Sequence, residues 1–332
     1  MRAGIRRILV TGGAGFIGSA FVRYAVKKRL RISVYDKLTY AADVKRLAEC
    51  RKKISFYKAD ICSRVRLEQV FRKEQPQAVV HFAAETHVDR SIRDPAVFME
   101  TNCLGTQALL DTAKKFGVAR FVYISTDEVY GEIEKGTFNE ESPLSPNSPY
   151  AASKAAADLL LSSYMRTYGF PAIIIRPCNN YGPWQYPEKL VPLAILKLFR
   201  GEKVPVYGHG TNVREWLYVE DCAEGIWQAL QKGDIGQVYN LGSGQESKNI
   251  DTVKLILKSL NKDLRMFEFV KDRPGHDLRY SLDSGKLYKV CGWKPKIRLA
   301  QGIGHTIDWS LLHWDWLFSK WADIARLYAF KK

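Results

Sequence analysis

Thr11-Gly12-Gly13-Ala14-Gly15-Phe16-Ile17-Gly18 is the stretch that most restricts what this chain can become. It follows the apolar run Ile8-Leu9-Val10 and opens the apolar segment 17–26, so it reads as a buried parallel strand, a glycine turn and a helix. Residues 32–35 read as the next strand, which completes a βαβ unit. Gly12, Gly15 and Gly18 let backbone amides and the helix N-terminus face a pyrophosphate. Glycines alone are turn chemistry; strand, glycines, helix and the acid Asp36 in this order point to dinucleotide binding. Asp36, at the end of the second strand, can accept from an adenosine ribose 2'-hydroxyl and would repel a 2'-phosphate, so NAD is expected over NADP. Lys37 beside it weakens that exclusion.

Further short strands fit residues 55–57, 78–82, 120–125 and 172–176, separated by helical patterns such as 97–116 and 148–167. This alternation predicts an α/β fold, a Rossmann-type doubly wound parallel sheet, with a smaller C-terminal substrate-binding lobe. After Arg176-Pro177 the rhythm changes to short elements punctuated by Gly, Pro and Asn. The expected division is a cofactor domain over 1–177 and a mainly substrate-binding lobe over 178–332. The chain is expected to return to the sheet around 210–245, because 237–242 reads as a buried strand. Trp309, Trp314, Trp316 and Trp321 lie at roughly helical spacing, as in a terminal helix packed on the body or on another subunit rather than a membrane-surface helix.

Six scattered cysteines without Cys-x-x-Cys spacing argue against a zinc cluster or a disulfide scaffold and for a reducing cytoplasm. No apolar run approaches the ~20 residues that span a bilayer, and the N-terminal apolar run is too short for a signal segment. The net charge of +16 is spread over many amphipathic segments with no nucleic-acid motif, so it reads as a solvated basic surface.

Tyr150 and Lys154 lie four apart in Tyr-Ala-Ala-Ser-Lys and share a face if that segment is helical. A phenol is a poor base at neutral pH, but a nearby ammonium and a positive nicotinamide ring both stabilise the phenolate. Thr-Gly-Gly-x-Gly-x-x-Gly with Tyr-x-x-x-Lys resembles the extended short-chain dehydrogenases, in which this pair deprotonates a sugar hydroxyl as hydride passes to NAD. Three longer stretches narrow the likeness: 83–91 (Ala-Ala-Glu-Thr-His-Val-Asp-Arg-Ser), 125–131 (Ser-Thr-Asp-Glu-Val-Tyr-Gly), and Asn179-Asn180-Tyr181-Gly182-Pro183 followed by Pro187-Glu188-Lys189-Leu190. They resemble the dTDP-glucose 4,6-dehydratases from about Arg7 through Trp293, leaving the tail as the unusual part.

That resemblance implies a hydro-lyase of deoxysugar biosynthesis, with retained NAD and a dTDP-glucose substrate. Removing water across carbons 5 and 6 of a 4-keto sugar needs a base for one proton and an acid for the hydroxyl, and two carboxylates can divide the work. By resemblance Asp127 is the acid and Glu128 the base, while Thr126 bonds the sugar and Tyr150. The likeness implies a cofactor site of Gly12, Gly15, Phe16, Ile17, Gly18, Asp36, Lys37, Thr39, Asp60, Ile61, Ala83, Ala84, Tyr150, Lys154 and Asn179. From the residues alone, Asp60 fits a helix cap as well as an adenine contact.

For the substrate the resemblance implies Thr86, Thr126, Asn180, Lys189, Leu190, Pro205, Tyr207, Asn249 and His276, with Arg214 and Arg273 on the diphosphate. His81 and His87 lack metal-ligand spacing and read as structural, so no metal is expected; Cys178 reads as a packing residue. Relatives pair two helices across a two-fold axis, which implies a homodimer through a four-helix bundle. UDP-glucose is a competing substrate, since thymine against uracil rests on one methyl group, about 0.8 kcal/mol. A UDP-sugar epimerase or decarboxylase is a rival enzyme activity. From a different class, a non-catalytic dinucleotide sensor or a nucleic-acid binder would share the glycine turn or the basic charge, but neither needs the set Asp127, Glu128, Tyr150 and Lys154.

Overall fold

Seven parallel strands order the chain. The computed structural model describes residues 5–272 and 274–329. Its main sheet contains β1 (Arg7–Thr11), β2 (Arg31–Asp36), β3 (Ile54–Lys58), β4 (Ala78–His81), β5 (Arg120–Ile124), β6 (Ala172–Pro177) and β7 (Val238–Leu241). Their spatial order is β7-β6-β5-β4-β1-β2-β3, so the direction of winding reverses between β1 and β4. Both neighbours of β1 are parallel, with Ile8 opposite Ile32 on one side and Ala78 on the other. Such a reversal opens a crevice at the carboxyl ends of the strands.

The central strands are near-continuous apolar runs because both faces of a parallel sheet are covered. Alternate side chains go to opposite faces. Ile8, Val10, Val34, Val80, Val122 and Ile175 meet helices Phe16–Val26 and Val219–Lys232. Leu9, Tyr35, Val79, Phe121, Tyr123 and Ile174 meet helices Arg64–Glu74, Thr106–Lys115 and Pro149–Tyr168. A third core, around Tyr181, Ile195, Val204, Trp216, Ile256 and Ile303, lies outside the sheet and builds the second lobe.

Residues 97–116 depart from the regular helix that their spacing predicts. Helix Pro95–Met99 passes into a π-turn at Glu100–Gly105 before helix Thr106–Lys115 resumes. The wide turn places the Asn102 side chain inside: its Oδ1 accepts from Glu85 N at 2.9 Å, and its Nδ2 donates to Glu85 O at 3.0 Å and Ser153 Oγ at 2.8 Å. π-bulges occur often at functional sites, and this one fastens the loop after β4 to the helix bearing Tyr150 and Lys154.

The tryptophan-rich end forms helices Leu299–Leu312, Trp314–Ser319 and Trp321–Ala329. It packs on the body: Trp309 and Trp316 lie 4.8 and 5.1 Å from the Trp184 ring. No helix among the described residues is long and apolar enough to cross a membrane.

Behind the sheet, Arg176 Nε donates to Asp158 Oδ2 at 2.8 Å, and its Nη1 donates to the Tyr130 hydroxyl at 2.7 Å, all buried. Asp158 shares the helix of Tyr150 and Lys154. Arg176→Met strands that carboxylate and should cost about 3–5 kcal/mol in urea unfolding. Adding Asp158→Asn should restore part of the loss.

Candidate active site

A cavity of ≈ 420 Å³ occupies the crevice between the carboxyl ends of β1, β4, β5 and β6 and the second lobe. Every residue named above for catalysis, cofactor or substrate lines it except Arg273, which falls outside the described residues.

One end is built by the glycine turn. Gly12 has φ +68°, and a Cβ there would sit 2.5 Å from Ala83 N, so β1 and the loop after β4 can approach only through a glycine. Gly15 then caps helix Phe16–Val26, whose first turn carries no acidic side chain. Its open amides suit an anion. Asp36 accepts from Ala14 N at 2.9 Å and Leu38 N at 2.8 Å. Burial raises its pKa and these two amides oppose the rise. Lys37 Nζ lies 2.6 Å from Asp60 Oδ2, so its charge is answered by an acid at the cavity wall. Asp60 also accepts from Cys62 N at 2.9 Å, an Asx-type turn that gives its carboxylate a local structural role. Asn179 Oδ1 is buried beside the cavity without a protein partner. An amide cradle, a paired acid and an orphaned acceptor match a dinucleotide's needs.

At the other end, Thr126 follows β5 and starts the short turn Asp127–Tyr130, where Thr126 Oγ1 accepts from Glu128 N at 3.3 Å. The same hydroxyl donates to Asp127 Oδ1 at 3.1 Å, while Asp127 Oδ2 is buried without a partner. Burial, then the charges of Glu128 and Glu215, push the Asp127 pKa well above the usual carboxylate range. That direction favours the protonated form, the one able to donate.

Tyr150 and Lys154 do share one helix face, in a helix started by Pro149 and by the Ser148 hydroxyl, which accepts from Ala151 N at 3.1 Å. The expectation that Lys154 lowers the phenol's pKa needs correcting. Lys154 Nζ donates to Ile124 O at 2.7 Å and lies 4.2 Å from the Tyr123 ring centroid. The charges that Tyr150 feels are those of Glu128, Asp127 and Asp158, which add to burial in driving its pKa up; a hydrogen bond with Thr126 opposes them. Within the protein alone, Tyr150 is a neutral phenol.

On the substrate side, Arg214 Nη2 donates to Asp277 O at 2.8 Å and its Nη1 to Val213 O at 2.7 Å, which fixes a buried guanidinium at the wall. Tyr207 donates to Asp89 Oδ2 at 3.2 Å, and His276 Nδ1 lies 2.6 Å from Asp272 Oδ1. Lys189 Nζ reaches Thr86 O at 3.5 Å, across the mouth between the lobes. His81 bridges Thr11 Oγ1 at 2.6 Å and Thr106 Oγ1 at 3.0 Å, and burial pushes its pKa down to about 3, so it is a neutral structural link. His87 accepts from Arg90 N at 3.3 Å and caps its own helix. Cys178 is buried, and burial keeps it a thiol. Among the described residues no cluster of His, Cys, Asp and Glu could hold a metal.

Sequence reasoning missed Gln185 and Asn102, and gave no role to Glu85 and Glu188 within the stretches that it quoted. Gln185 lines the cavity with Nε2 on Asn180 O at 2.8 Å and Oε1 buried without a partner. Glu188 accepts from the Tyr40 hydroxyl at 3.0 Å. Reading the 187–190 motif two residues further back would have found Gln185. Nothing in a helical apolar pattern marks Asn102.

Fold and cavity together define an enzyme of the extended short-chain dehydrogenase class. Residues 9–306 match the protein-family model described as GDP-mannose 4,6 dehydratase. The dTDP-glucose 4,6-dehydratase of Streptomyces niveus is 48% identical over 311 residues, covering 91% of this chain and 92% of that one. That of Escherichia coli is 44% identical over 343 residues, covering 93% and 95%. The solved structure of DesIV, a dTDP-glucose 4,6-dehydratase from Streptomyces venezuelae with NAD bound, superposes with a TM-score of 0.91 at 46% identity over 93% of this chain and 98% of that one. The chain belongs to the dTDP-glucose 4,6-dehydratase family.

Burial pushes Lys154 down to about 8 from the ordinary lysine value of 10.5. Between those values the unfolded chain holds a proton there that the folded chain lacks, so this residue's contribution to stability rises with pH across that window. Comparing wild type with Lys154→Met in urea titrations near pH 7 and near pH 10 should show wild type gaining relative stability at the higher pH.

Proposed function

We propose that the cavity carries out a closed redox cycle on a nucleotide-linked glucose. The enzyme is an NAD-dependent hydro-lyase that converts dTDP-glucose to dTDP-4-keto-6-deoxy-glucose, as in deoxysugar biosynthesis. The observation that carries this reading is a buried acid, Asp127, with one carboxyl oxygen left without a partner, adjacent in sequence to Glu128 and in the same cavity as Tyr150. Bound NAD supplies the redox chemistry, accepting hydride from carbon 4 and returning it at carbon 6, so it ends each cycle oxidised.

In this reading Tyr150 acts as a phenolate, which the positive charge of bound NAD would favour, and takes the carbon-4 hydroxyl proton. Lys154 holds the nicotinamide ribose. Glu128 removes the carbon-5 proton, and Asp127 protonates the carbon-6 hydroxyl, which leaves as water. Glu128 then returns its proton to carbon 5, and passage of the Tyr150 proton to Asp127 by way of solvent restores both groups. Arg214 and Lys189, with Arg273, offer cations to the diphosphate, and Pro205, Tyr207, Asn249 and His276 form the nucleotide's side of the pocket. Residues 1–177, with the returning segment, make the cofactor domain, and the remainder makes mainly the substrate lobe.

Two wider readings accompany this one. Six free cysteines suit a reducing cytoplasm. Met99, Leu104 and Leu159, on the helical segments around Thr106–Lys115 and Pro149–Tyr168, are 46%, 60% and 63% exposed, an apolar face suited to a second copy of the chain in a four-helix bundle. Leu159→Glu should convert a dimer to a monomer in sedimentation analysis. An unchanged mass would move the interface elsewhere.

Incubated with dTDP-glucose and no reductant, the protein should yield a product lighter by one water, read by mass spectrometry. Glu128→Gln should slow turnover by roughly 10²–10⁴-fold and block solvent deuterium entry at carbon 5. Undiminished exchange would remove Glu128 from this role.

A further inference from the structure

Asp43 stands where the C-terminal helices meet the cofactor side of the crevice. Its Oδ2 accepts from Trp316 Nε1 at 2.8 Å and from Lys320 Nζ at 3.1 Å. Its Oδ1 accepts from Lys45 N at 2.9 Å, and its own backbone N–H donates to Ala14 O at 3.0 Å. Ala14 lies in the glycine turn, and its N–H is one of the two held by Asp36.

Arg46 secures the same point from beneath. Only 1% exposed, it donates from Nη1 to Ala14 O at 2.9 Å and Ala41 O at 2.5 Å, and from Nε to Trp184 O at 3.1 Å. Its guanidinium also lies 5.5 Å from the Trp316 ring centroid. Farther along the tail, Ile324 joins Tyr186 and Leu193 in a small core, with Tyr40, Ala41 and Trp321 packed against it. Thr39, Ala41, Ala42, Tyr186 and Leu193 all line the cavity. The tail therefore grips both lobes around one end of the site. The family match stops at 306, short of the residues that make this grip.

We propose that Trp316 and Lys320 are positioning residues which, through Asp43, hold segment 38–46 and the Ala14 turn in the shape that retains NAD. Two donors, one of them cationic, converge on a single carboxylate oxygen, and that carboxylate's own backbone anchors the turn next to Gly15. Charge-assisted bonds of this kind are the strong ones. Loosening them frees the loop while leaving Tyr150, Asp127 and Glu128 untouched. An enzyme whose cofactor ends each cycle in its starting state gains from slow release, and the strap supplies it. The proposal rests on NAD occupying this cavity.

The test uses full-length protein stripped of nucleotide and titrated with NAD by calorimetry, together with hydrogen exchange of the 38–46 amides. Trp316→Phe keeps an aromatic ring and loses the donor, and Asp43→Asn is a near-isosteric second variant. Each should raise the Kd for NAD about tenfold, the order expected for a hydrogen bond to a charged group. The 38–46 amides should exchange faster, while kcat at saturating NAD stays at the wild-type value. The double variant should bind no worse than Asp43→Asn alone, because both changes remove one shared interaction. Lys320→Arg should retain wild-type affinity where Lys320→Met weakens it. Unchanged Kd in both Trp316→Phe and Asp43→Asn, or a loss of kcat that saturating NAD does not restore, would overturn the proposal. A wild-type chain that binds no NAD would overturn the cofactor reading beneath it.

Discussion

Tyr150 and Asp127 are buried in the cavity that Glu128 also lines, and poor hydration with neighbouring negative charge favours the neutral form of each of the two. Lys154, the cation on the same helix face, is spent on Ile124 O. The surroundings thus favour Asp127 in its donating form and Tyr150 in its non-accepting form. On the proposed roles this is a useful imbalance. The positive nicotinamide ring of bound NAD is the charge that would favour the phenolate, so the base gains strength only when the cofactor is oxidised and in place. The sheet and the π-turn at Glu100–Gly105 bear on that juxtaposition through the chain itself: Asn102 of the turn holds Ser153 on the helix of Tyr150.

Much of the fold was legible because parallel strands are buried on both faces and therefore write themselves as unbroken apolar runs, as Ile8-Leu9-Val10 and Ile173-Ile174-Ile175 do. Val238–Leu241 was visible for the same reason, although it lies far along the chain from its neighbour β6. The candidate site was legible where chemistry demands a residue type, as in the Thr126-Asp127-Glu128 run. It was not legible where geometry alone decides. Asn102 faces inward only because one helical turn is wider than its neighbours, and no spacing rule announces that. The direction of the Tyr150 shift depended on where Lys154 points, a question of rotamer and partner that a four-residue interval leaves open. The tail's tryptophans showed their helical period, but their destination against Trp184 and Asp43 is a long-range fact.

Lys37 illustrates how a structure can cancel the weight of a residue. Beside Asp36 in sequence, a lysine weakens the case against a 2'-phosphate. In the fold its ammonium is bound to Asp60, which cancels its charge near the end of β2. With Lys37 answered in this way, the Asp36 carboxylate still disfavours a phosphate there, which agrees with NAD as the cofactor.

The return of the chain to the sheet at Val238–Leu241 has a consequence for biosynthesis. Until that segment has left the ribosome, β6 presents a full open edge of backbone donors and acceptors, and until residues 219–232 have left it the apolar face awaiting their helix is bare. The first 177 residues cannot complete their sheet as an autonomous unit while the rest is still being made. The two lobes are therefore committed together, late in translation, and a nascent chain stalled between 177 and 238 is the form most exposed to edge-to-edge aggregation.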